Sequence, residues 1–169
     1  AAMELQTFLR RIVGNDEDYA IVDDSTDVKG DIVIIGGPKT NALAEKLFPL
    51  FSISQDEIAS LGPEGYRIKS IWNEDGHVLM IAGGGRVGTL YGCYAVLRDL
   101  GCRWFSPDDL GEEIPTLVLY SLPHMDLTER PGFSLRGFHA WENRGSSAFL
   151  LWMARNRLNL WCVAQREKA

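Results

Sequence analysis

The chain has 169 residues, 46% of them hydrophobic, and a formal net charge of −6. That length suits one domain, or one domain and part of the next, and that apolar fraction builds a packed core. The 17 basic residues form no cluster, which excludes nucleic acid and anionic membrane surfaces as partners, and no apolar run reaches the roughly 20 residues of a membrane-spanning helix.

Ala1, Leu5, Phe8 and Ile12 recur at helical spacing and predict an opening helix that Gly14 stops. The chain begins inside that pattern and ends in an apolar run, so both ends are expected to continue into a longer protein, which leaves room for an export signal upstream. Residues 19–24 (YAIVDD) predict a short strand, and residues 30–37 (GDIVIIGG) a buried one bounded by glycines. Thr40 or Asn41 caps a short helix over residues 41–48, which Pro49 ends, and residues 52–63 read as a loop with one helical turn. Residues 64–72 alternate as a half-buried strand, with Tyr66, Ile68 and Ser70 on one face and Arg67 and Lys69 on the other. Asp75-Gly76 is a strong hairpin signal, and residues 77–83 return as the partner strand.

The longest helix is predicted over residues 87–100, with Val87, Leu90, Tyr91, Tyr94 and Leu97 on its apolar stripe and Gly101 as its stop. Residues 102–115 are aromatic, then acidic and rich in turn residues, and residues 118–127 hold one more edge strand. From Pro131 the texture becomes strand, helix, strand in quick succession, a β/α-repeat pattern, which places a boundary near residues 127–131. The predicted class is α/β of the α+β type, a mixed sheet with helices packed on it.

Gly83, Gly85 and Gly88 satisfy G-x-G-x-x-G between a strand and a helix, and Asp108 and Asp109 follow at the distance of a ribose-binding carboxylate. A dinucleotide site is therefore one reading. Against it, the preceding strand is the second arm of a hairpin, Pro107 breaks the segment after the helix, and Arg86, Tyr91 and Tyr94 are bulky for close cofactor packing. The plainer reading is a tight strand-to-helix turn. The three cysteines show no CxxC or Cys/His spacing; Cys93 and Cys102 read as small buried hydrophobes, and neither metal nor cofactor is expected.

Glu64-Gly65-Tyr66, the Gly88-Thr89-Leu90-Tyr91-Gly92 entry to the long helix and Gly101-Cys102-Arg103-Trp104-Phe105 resemble, in this order, the N-terminal domain of bacterial α-glucuronidases and the related domain ahead of the barrel in β-N-acetylhexosaminidases. The resemblance covers about residues 1–127. It implies a non-catalytic α/β accessory domain at residues 1–127, the start of a (β/α)8 barrel at residues 128–169, a carbohydrate substrate for the full-length glycoside hydrolase, and a secreted or periplasmic location. Pro131, Phe133, Arg136 and Gly137 resemble the P-x-F-x-x-R-G of the first hexosaminidase barrel strand, where the arginine contacts sugar. The continuation FHAWENR departs from that family's pattern, which leaves the sugar undefined.

The candidate substrate-binding residues, in the full-length protein, are Arg136, His139, Trp141 and Glu142. A guanidinium fork suits paired hydroxyls, and Trp141 or Phe138 can stack on a pyranose. Arg136 pairing with Glu142 is the structural alternative. Asp108, Asp109, Glu112 and Glu113 read as a solvated turn, so no catalytic pair is assigned and the chain by itself is expected to be inactive. Trp104 and Phe105 are expected in a core or against a neighbouring domain. Exposed apolar surface around residues 149–161 predicts self-association. A dinucleotide-binding domain using Gly83, Gly85 and Gly88, and a free-standing carbohydrate-binding module, remain open as alternatives.

Overall fold

A computed structural model of the chain describes residues 1–118, 122–139 and 146–162. Those residues fall into two compact units, residues 1–102 with 114–131 and residues 103–113 with 132–169.

The first unit is a mixed four-stranded sheet with helices on it. It opens with α1 (Ala2–Val13), which buries Leu5, Phe8, Leu9 and Ile12 and ends at Gly14 in left-handed geometry. Full burial of such side chains is worth about 1.5–3 kcal/mol each. Residues 19–24 form no strand. Tyr19 sits at a φ of 58°, and the carbonyls of Asp18 and Tyr19 accept from the Arg10 and Gln6 side chains of α1, so the segment is tied to the helix instead of pairing with a strand. Strand β1 (Ile32–Ile35) forms as expected but lies at the sheet edge, where Ile34 alone is fully buried. The Asn41 carboxamide caps α2 (Ala42–Leu47) by accepting from Ala44 N–H at 2.8 Å, and Pro49 enters a 3-10 turn that continues the helix. Ser54 caps the single turn α3 (Gln55–Ala59).

Strands β2 (Tyr66–Trp72) and β3 (His77–Gly83) form the antiparallel hairpin expected from Asp75-Gly76, in a register that pairs Ile68 with Ile81 and Trp72 with His77. The Asn73 carboxamide accepts from Asp75 and Gly76 N–H, and Gly76 takes a φ of 153° against the backbone of Gly30, where a side chain has no room. The sheet order is β1-β3-β2-β6, with β1 parallel to β3 and β6 (Asp126–Glu129) antiparallel to β2 at the other edge. The expected edge strand thus exists, displaced toward the C-terminus. Helix α4 (Arg86–Asp99) buries Tyr91, Cys93, Tyr94, Val96 and Leu97 and meets the sheet at Gly92, where a Cβ would come within 2.5 Å of Ile81. Val87, expected on the apolar stripe, is exposed.

The outward row of β2 carries a buried charge. Arg67 donates to Asp126 at 2.5 Å, to Glu57 at 3.0 Å and to the Ile68 carbonyl, so it is buried although alternation points it away from Ile68. The guanidinium holds the Asp126 carboxyl below the usual carboxylate range, chiefly through its hydrogen bond.

The second unit contains a short hairpin of β4 (Arg103–Trp104) and β5 (Glu112–Glu113), followed by β7 (Gly137–His139), α5 (Ser147–Arg155) and β8 (Leu160–Cys162). Strands β7 and β8 pair in parallel, as the strand-helix-strand pattern predicts. Trp104 is buried, its carbonyl accepting from the Trp152 indole and the Asn156 amide, whereas Phe105 is exposed.

Candidate functional site

The glycine turn between β3 and α4 is stitched to the loop at residues 61–65. Gly84 N–H donates to the Gly65 carbonyl at 3.0 Å, and Gly88 N–H donates to the Pro63 carbonyl at 3.1 Å. A Cβ on Gly84 or Gly88 would overlap the carbonyl oxygens of Gly62 or Gly65, and one on Gly85 would lie 2.8 Å from that of Pro63. These glycines permit backbone to meet backbone. One of the first N–H groups of α4, the donors that a pyrophosphate would use, is already committed.

A crevice of about 920 Å³ does lie at the carboxyl ends of β1 and β3, between the loops at residues 36–40 and 83–86, with Lys39 and Arg86 in its lining. Both neighbours of β3, however, precede it in the chain, so α4 does not lead to a parallel strand beside β3, and the βαβ context of the dinucleotide fingerprint is lacking.

In the second unit, His139 closes β7 at its carboxyl end and is exposed. Arg136 precedes the same strand at its amino end. Its guanidinium donates to the carbonyls of Arg157 (2.9 Å) and Phe133 (2.6 Å), and its N–H donates to the Asn159 carboxamide, so it ties the start of β7 to the turn before β8. Trp141 and Glu142 lie outside the described residues. Phe138 stacks with Trp152 at 5.7 Å between ring centroids, and Phe149 lies against Phe138, Trp152 and Trp161, so Phe138 takes part in packing α5 on the parallel pair.

The acidic turn is not uniformly solvated. Asp108 closes it by accepting from Gly111 N–H and the Ser106 hydroxyl, but Glu112 is largely buried and pairs with Arg155 at 2.6 Å, whose guanidinium also lies over Trp104. A carboxylate held that way braces the unit. Cys93 and Cys102 are buried, and burial pushes the Cys93 thiol up to about 12.

The profile of the glycosyl hydrolase family 67 N-terminus matches residues 1–96, more than half of the chain. The chain belongs to that family. The match covers α1, the sheet strands β1, β2 and β3, the glycine turn and most of α4, so the residues that carry the α-glucuronidase resemblance through Gly92 lie within it. A search of the curated proteins finds no match. For a family 67 N-terminal domain the glycine turn is a packing joint of an accessory domain, and His77 is a residue that sequence reasoning passed over: it is buried, its ring nitrogens have no hydrogen-bond partner among the described residues, and it stacks under Trp72.

Proposed function

We propose that residues 1–127 are the non-catalytic accessory domain of an α-glucuronidase-type glycoside hydrolase, and that residues 128–169 open its (β/α)8 catalytic barrel. The observation that carries this reading is the family 67 match over residues 1–96. The parallel β7-α5-β8 unit supports the barrel, since such units are its building block. Barrel enzymes hold substrate at the carboxyl ends of their strands, which favours His139, with Trp141 and Glu142 two and three residues after it in sequence, as sugar contacts. Arg136 joins this proposed set through its P-x-F-x-x-R-G motif, its main-chain hydrogen bonds setting the start of β7. The substrate is a uronic-acid-bearing saccharide, the catalytic carboxylates lie elsewhere in the barrel, and the accessory domain buttresses it.

The test is hydrolysis by the complete polypeptide that carries this chain. Release of uronic acid from a uronate-substituted oligosaccharide, with no activity from residues 1–169 alone, is expected. Cleavage of N-acetylhexosaminides instead would move the substrate to the hexosaminidase side, and hydrolysis of neither would overturn the proposal.

A further inference from the structure

Trp72 is the exposed tryptophan among the described residues, with 66% of its surface open to solvent. Its other side is occupied. It stacks on the His77 ring at 4.6 Å between centroids and 18° between planes, and His77 in turn stacks against His124 at 6.2 Å. His77 is 1% exposed and its main-chain N–H donates to the Asp31 carboxylate, so burial and the anchored backbone hold the base under the indole in place. The hairpin turn beside Trp72 is equally fixed: Asn73 N–H donates to the Gly76 carbonyl, the Asn73 carboxamide accepts from Asp75 and Gly76, and the Asp75 carbonyl accepts from Gly30 N–H. The exposed carboxylates of Glu74 and Asp75 follow in that turn.

A large apolar face held rigid and open at a hairpin tip, with hydrogen-bond acceptors next to it, has the chemistry that takes the apolar face of a pyranose: the ring stacks while hydroxyls donate to carboxylates. Holding the indole in place beforehand removes part of the ordering cost of binding. The two carboxylates repel an anionic sugar and so select a neutral one. We propose that Trp72, based on His77, is the platform of a sugar subsite on the accessory domain that binds a neutral pyranose of the glycan. This rests on the carbohydrate reading of the previous subsection and adds to it a glycan contact on the accessory domain.

The experiment titrates the chain with xylohexaose, a neutral oligosaccharide, and with a uronate-bearing oligosaccharide. The readouts are the indole Nε1–H resonances and calorimetry. Saturable binding of the neutral probe that shifts the Trp72 resonance, weakened about tenfold or more in Trp72→Ala and less in Trp72→Phe, is expected. Weaker binding of the uronate probe is expected with it. Far-UV circular dichroism checks that both variants fold. No binding of the neutral probe, equal binding by Trp72→Ala, or preference for the uronate probe would overturn the subsite. Its failure is distinct from that of the enzyme assignment: hydrolysis by the complete polypeptide without Trp72-dependent binding removes the subsite alone, and binding without hydrolysis removes the assignment alone.

Discussion

Replacing Gly88 with alanine asks whether the glycine run is a packing joint. Helix propensity favours the change by up to about 1 kcal/mol. The structure opposes it: the new Cβ would overlap the Gly65 carbonyl, a main-chain atom that cannot rotate away, and would strain the Gly88 N–H bond to the Pro63 carbonyl. Overpacking costs roughly 1–3 kcal/mol and a lost hydrogen bond roughly 0.5–1.5 kcal/mol. The net is a destabilisation on the order of 1–3 kcal/mol, read as a fall in melting temperature of roughly 2–4 °C per kcal/mol for a chain of this size. Gly132→Ala is the control, because a Cβ there meets nothing within 4 Å, and it should stay within about 0.5 kcal/mol. A Gly88→Ala protein as stable as the parent, or more stable, would refute the joint.

The His77 ring is buried without a hydrogen-bond partner among the described residues, so His77→Phe, which keeps the ring stack under Trp72, should raise stability by about 1 kcal/mol in urea unfolding; a fall would show that the imidazole is needed. The Asp126 carboxyl titrates below its unfolded value near ~4, so its contribution is present above that pH and is lost as pH falls through the lowered folded value. Asp126→Asn should flatten the acid limb of stability against pH, by a small amount because Asp126 is largely exposed. Under native conditions iodoacetamide should modify the exposed Cys162 and spare the buried Cys93 and Cys102, with all three reacting in denaturant, as mass spectrometry would read. Exposed Phe133, Leu135, Leu150 and Leu151 should make the chain self-associate in light scattering, and strictly monomeric behaviour would count against that.

The parts legible in the sequence are those decided locally. Asp75-Gly76 turns the chain whatever lies around it, α1 needs its own apolar stripe, and Asn41 caps the helix that follows it directly. The parts that were not legible depend on distant partners. Arg67 is buried because Asp126 and Glu57 arrive from other segments, Glu112 because Arg155 arrives 43 residues later, and residues 19–24 stay out of the sheet because Arg10 and Gln6 hold their end of the chain. The glycine pattern misleads for a related reason. Gly83, Gly85 and Gly88 keep the spacing of a phosphate loop, yet Gly85 and Gly88 accommodate the backbone at residues 63–65, invisible to a local motif, and Gly83 accommodates the first turn of α4. At the candidate sugar site, the strand-helix-strand pattern that holds His139 was legible, while the anchoring of Arg136 by Phe133 and Arg157 depends on the fold of the unit.

The most direct measurement is the melting temperature of the chain with and without millimolar NAD. A nucleotide that binds only the folded protein adds about 2.7 kcal/mol at a hundred times its Kd and must raise that temperature. With the turn at residues 83–88 closed against Pro63 and Gly65, the temperature is predicted to stay unchanged. A saturable rise, abolished by substitutions in the crevice between the two glycine loops, would contradict the packing joint and with it the sugar-enzyme account of this turn.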